Sequence, residues 1–217
     1  RSSSATSDPH IIAILLLTVS LTFADSTQVH YAQQDADALK TMLDSADTRT
    51  EELMARYRLY PLTEDEAVID GIPKELGPDA SARELALLSG LWAYRAGETN
   101  IFNAVRYGRR SMNRLEEAEA LDPDEPYVLL VKGQSLMFRP DIAGKDVPAA
   151  VDIFRNLTEV LDKHPKAGIS DVEARSWLWL ALKESGRAAE AEKLRDDLLA
   201  TDPAPLYRQF LADPPSV

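Results

Sequence analysis

The chain has 217 residues, 45% of them apolar, enough for one or two domains with a real core. Its 36 acidic and 24 basic residues leave a net charge of −12, which repels a phosphate backbone, so nucleic acid is not expected as a partner. With no cysteine and three histidines, the composition excludes disulfides, thiolate zinc sites, cysteine nucleophiles, three-histidine zinc sites in the mature chain and a lipidated cysteine, and no cofactor is expected.

The first element is the apolar run Ile11–Ala24. At about 14 residues it is shorter than the roughly 18–20 needed to span a bilayer, and it reads as the hydrophobic region of a signal peptide, with Arg1 and His10 as the upstream positive charges. Thr22, Phe23 and Ala24 form a small-x-small cleavage pattern before Asp25, and a second candidate lies after Ala32, ahead of Gln33 and Gln34. Residues 1–24 are therefore assigned as a leader, and the remainder as exported, periplasmic or secreted, with no stable membrane span once the leader is removed. The competing reading of the same run is a buried N-terminal helix.

Beyond the leader, apolar residues recur at helical spacing, and alternating β-branched runs are scarce, which makes the fold class all-α. Residues 25–79 hold an N-terminal hairpin, Asp35–Ser45 and Thr48–Tyr60, followed by a linker. In that linker Thr63 and Glu66 stand at capping-box spacing, while Gly71, Pro73, Gly77 and Pro78 keep any helix short.

Residues 80–203 divide into three further hairpins. The first opens at a capping box, Ser81 with Glu84, carries Leu88, Gly90 and Leu91, and continues in a second helix through Ser111, Leu115 and Ala118 to Pro123. The next starts with Pro126 in a first helical turn, uses Gly133 as the small residue at the helix crossing, and runs through Ala150, Phe154 and Leu157 to His164. The last begins at Ser170, with Glu173 placed to complete a capping box, turns at Gly186, and runs past Ala191 and Leu198 to Pro203. Ser111, Ala150 and Ala191 are 39 and 41 residues apart, which predicts lengthened turns within the hairpins, at Ala96–Asn103 and Arg139–Lys145. Residues 204–217 form a tail that covers the last exposed face.

Ala150 and Phe154 carry the alanine-x3-phenylalanine signature of the roughly 34-residue tetratricopeptide (TPR) unit. With the segments Leu87–Ala93, Tyr107–Ser111, Leu121–Pro126 and Phe138–Pro140 followed by Gly144, the chain resembles TPR proteins, and more narrowly the exported bacterial TPR-like proteins of unassigned function, over about residues 80–203. The resemblance implies a right-handed α–α superhelix of three to four hairpins with long intra-hairpin turns. It also implies a non-enzymatic scaffold that holds a protein or peptide partner. Two features depart from the pattern. Trp179 stands where the consensus first helix takes a small residue. Ser176 and Leu180 occupy places where chaperone-binding members carry lysine and asparagine, which removes that carboxylate clamp. A second resemblance is to the helical-repeat lipoprotein component of tripartite solute transporters, which implies periplasmic binding of a small ligand. Those proteins are anchored through a lipidated cysteine, which is absent here.

No glycine-rich phosphate cradle and no catalytic motif is present, so no catalytic residue is assigned. The candidate binding residues are Arg106, Arg109, Arg110 and Arg114, four arginines within nine residues of an acidic chain, three of them at i, i+4, i+8 spacing on one helical face. They either pair with acids of neighbouring helices or form a stripe for an acidic segment or anionic group. Phe102, Tyr107, Phe138 and Arg139, in or beside the expected turns, complete the candidate surface.

Overall fold

A computed structural model describes residues 21–164 and 166–217, and among them the chain forms eleven α-helices, one 3-10 turn and no strand. The leader lies outside the described residues except for its last four. These begin the first helix, α1 (Phe23–Ala32), whose N-cap Thr22 accepts from the Asp25 amide at 3.1 Å. The cleavage position inferred after Ala24 thus falls within the first turn of a helix. There Ala24 packs against Gly168, at φ +78°, whose missing Cβ would meet the Ala24 carbonyl oxygen at 2.8 Å.

The N-terminal hairpin is α2 (Ala36–Asp44) with α3 (Arg49–Thr63), capped by Asp35 and by a Thr48–Glu51 capping box. The expected box at Thr63 does not form. The Thr63 hydroxyl donates back to the Leu59 carbonyl, and Asp65 caps the four-residue α4 (Glu66–Ile69) instead.

Three helix pairs follow: α5 (Ala82–Gly97) with α6 (Ile101–Leu121), α7 (Pro126–Phe138) with α8 (Val147–Leu161), and α9 (Asp171–Glu184) with α10 (Ala188–Leu199). α11 (Pro205–Ala212) closes the chain. The first expected turn is corrected. Only Glu98–Asn100 lie outside helices, because Asn100 accepts from the Asn103 amide and makes Ile101–Asn103 the opening turn of α6. The extra residues of that hairpin therefore lengthen a 21-residue helix and not the turn. Between α7 and α8 the longer connection is real and contains the 3-10 turn Asp141–Ala143.

Gly133 does what its position suggested: a Cβ there would collide with the Phe154 ring, so its absence lets α7 and α8 close on one another. The core runs continuously from Leu39 in α2 to Leu211 in α11. Within it, α3, α5 and α7 pack in succession, α8 packs on α9, and α9 packs on α11. α1 lies against α2, α3 and α11, so the first helix meets the last.

A buried polar hub sits within this apolar core. Arg58 of α3, 1% exposed, makes a two-pronged ion pair with Glu173 of α9, 3% exposed, at 2.5 and 3.0 Å. Arg58 also donates to the Gly168 carbonyl at 2.8 Å and lies 4.8 Å from the centre of the Tyr31 ring of α1. Tyr127 of α7 donates to the same Gly168 carbonyl, and Tyr207 of α11 stands 3.5 Å from Glu173. Burial pushes the Tyr31 phenol up to about 12. Glu173 was placed by sequence as half of a capping box. The Ser170 hydroxyl does accept from the Glu173 amide, but the carboxylate turns inward to Arg58, whose desolvated guanidinium needs it more than an exposed helix end does.

Candidate functional site

The arginine-rich half of α6 faces outward and sideways onto α5. Its N-terminal half carries Arg106, Arg109 and Arg110, and its C-terminal half carries Arg114 followed by Glu116, Glu117 and Glu119. The helix dipole acts within the first and last turns and so reaches none of the four arginines. No acid stands in the first turn and no base in the last. Helix stability does not account for the pattern.

Sequence left open whether these arginines pair internally, and the structure separates them. Arg114 does pair, with Glu117 on its own helix at 2.6 Å. Arg106 and Arg110 have no carboxylate partner among the described residues and rest on aromatic rings instead. Arg110 lies 4.8 Å from the centre of the Trp92 ring, and Arg106 lies 5.0 Å from that of Tyr107 while donating to its phenol oxygen at 3.1 Å. Arg109 is exposed and free of ion pairs among the described residues.

Beside them α5 contributes Trp92 and Arg95, one helical turn apart. Trp92 is anchored by its indole N–H, which donates to the Pro73 carbonyl at 3.0 Å, and its ring stands 5.2 Å from that of Tyr107. Arg95 donates to the Ile69 carbonyl at 2.7 Å and pairs with Asp70 at 2.9 Å, while its guanidinium lies 5.6 Å from the Tyr107 ring centre. The Gly71–Lys74 loop forms the remaining wall. Together these groups enclose a cleft of about 280 Å³ whose lining includes Lys74, Arg95, Arg106 and Arg110 and no carboxylate. Arg106 donating to the phenol, with Arg95 next to the ring, holds the Tyr107 hydroxyl below its ordinary range.

The remaining candidates lie elsewhere. Phe102 is 87% exposed, and Ile101 and Val105, at 74% and 54%, share the outward face of α6 with it. Phe138 meets the Trp177 ring edge-on at 6.1 Å, so packing occupies part of it. Arg139 folds back over Gly144 in the second connection. Neither lines the cleft. Sequence reasoning missed Lys74 and Arg95. Arg95 had a legible signal in its i, i+3 spacing from Trp92, whereas Lys74 depends on how a proline-rich loop folds back.

Among the described residues no group of three or more histidines, aspartates and glutamates is arranged to hold a metal ion, and no helix is long and apolar enough to cross a membrane. Compared with protein families, with curated proteins and with solved structures, the chain gives no match.

Proposed function

We propose that this chain is a non-enzymatic scaffold of the bacterial cell envelope, built from TPR-like hairpins, which holds an acidic, amphipathic segment of a partner protein on the outward face of α6. The observation that carries the reading is the contiguous face of Ile101, Phe102 and Val105, three large apolar side chains more than half exposed, continuous along the helix with Arg106 and Arg109. A partner helix with an apolar stripe flanked by carboxylates complements that face in both hydrophobicity and charge.

Repeats of this kind commonly offer a partner their inner face. Here α1 packs on α3 and α11 beside the buried Arg58–Glu173 hub, which favours the outer surface. The paired helices and the Gly133–Phe154 crossing support the TPR-like architecture. The apolar run ending at Ala24 supports export.

Affinity isolation from envelope extract with the native protein and with Phe102→Asp tests the reading. The native protein is expected to retain a stoichiometric partner that the variant loses, with both melting at the same temperature. Equal retention by the two would refute it. The second reading, a periplasmic small-ligand component of a solute transporter, is favoured by one feature, the cationic cleft.

A further inference from the structure

We infer that the cleft between α5, α6 and the Gly71–Lys74 loop is a binding site for a phosphoryl group. The inference shares Arg106 with the scaffold reading but does not rest on it, since the cleft is built with Lys74, Arg95 and Arg110 and excludes Ile101, Phe102 and Val105.

The first argument is charge. Four cations line the cleft, and only one of them, Arg95, has a carboxylate partner, Asp70, among the described residues. Lys74, Arg106 and Arg110 leave three formal positive charges unmatched in a chain whose net charge is −12. Uncompensated cations repel one another across so small a space, and an acidic protein has carboxylates in plenty with which to neutralise them. A monocarboxylate would cancel one of the three charges. A phosphate monoester, at ≈ −1.5 to −2, cancels most of them.

The second argument is pre-organisation. Arg110 is held over Trp92 and Arg106 over Tyr107, and Trp92 is fixed by its bond to the Pro73 carbonyl. Rings that fix two guanidinium planes, at the cost of a single N–H bond from Arg106 to the Tyr107 hydroxyl, reduce the entropy lost when a ligand binds. Guanidinium forks match phosphate oxygens in two-pronged geometry, and Lys74 adds a point charge from the loop. At about 280 Å³ and open to solvent, the cleft has room for a phosphoryl group with a small attached moiety.

A free phosphorylated small molecule and a phospholipid headgroup share this chemistry, and the test has an arm for each. Melting temperature is followed at constant ionic strength with inorganic phosphate, glycerol phosphate, citrate or chloride. Co-flotation is measured with vesicles of phosphatidylcholine alone or containing phosphatidic acid. The Lys74→Gln/Arg106→Gln variant removes two exposed cations of the cleft, and Arg208→Gln, which does not line the cleft, controls for net charge.

Stabilisation of the native protein by phosphate, with affinity weakened at least about tenfold in the double variant and unchanged in Arg208→Gln, is the expected result. It identifies a soluble ligand. Flotation only with phosphatidic acid, lost in the double variant, identifies a headgroup. The inference is overturned if neither arm responds, if the double variant responds like the native protein, or if citrate stabilises and phosphate does not.

Discussion

Among single residues, the buried Arg58–Glu173 pair determines how the interior is used. Two charges removed from water contribute little net stability, but removing one partner strands the other at a cost of about 3–5 kcal/mol. Arg58→Met is therefore expected to lower the melting temperature sharply. Arg58→Met combined with Glu173→Leu should cost clearly less than the sum of the single changes, and calorimetry on the double-mutant cycle checks this. Glu84 acts differently. Its carboxylate caps Ser81 and accepts from Arg49 at 3.0 Å and from Thr50 at 2.9 Å, joining α3 to α5. Burial works against its charge, but these donors outweigh burial and hold it at about 2, below its usual 4.5. A depressed carboxylate contributes stability that is complete above its unfolded value and is lost as the pH falls from about 4.5 through 2. Acid unfolding followed by circular dichroism should show a flatter profile in that window for Glu84→Gln than for the native chain. At the cleft, the lowered Tyr107 phenol becomes an anion as pH rises through its depressed value, so phosphate binding is expected to weaken there earlier than free tyrosine would dictate. Tyr107→Phe should abolish that alkaline loss.

At the level of helices, most boundaries were readable from sequence because caps and breakers are local. Asp35, Ser81, Pro126 and Ser170 each open a helix where the pattern predicted. Where a residue had two competing partners, local reasoning failed. Glu173 faced both an exposed amide and a buried arginine 115 residues away in sequence, and only the fold decides between them. Asn100 likewise converted an expected turn into the start of α6. The arginine stripe was legible as a spacing, but its division between the ring-supported Arg106 and Arg110 and the paired Arg114 was not, because Trp92 and the loop bearing Lys74 come from other segments. For the α7–α8 pair, Gly133→Ala forces a methyl into the Phe154 ring and should cost about 1–3 kcal/mol, measurable by urea denaturation.

For the whole molecule, α1 and α11 meet, and α1 supplies Tyr31 to the buried hub. On the proposed reading the partner segment takes the outside, where α6 carries Arg106 and Arg109 and leaves Ile101, Phe102 and Val105 in water. The α6 face and the hub are separate enough to be told apart by amide hydrogen exchange on the native protein with its isolated partner bound. The account predicts new protection confined to segments covering Glu98–Arg110, with exchange across Gln28–Gln34 and Lys166–Arg175 unchanged. New protection, or its loss, centred on those inner segments while Glu98–Arg110 stays unaltered would contradict it.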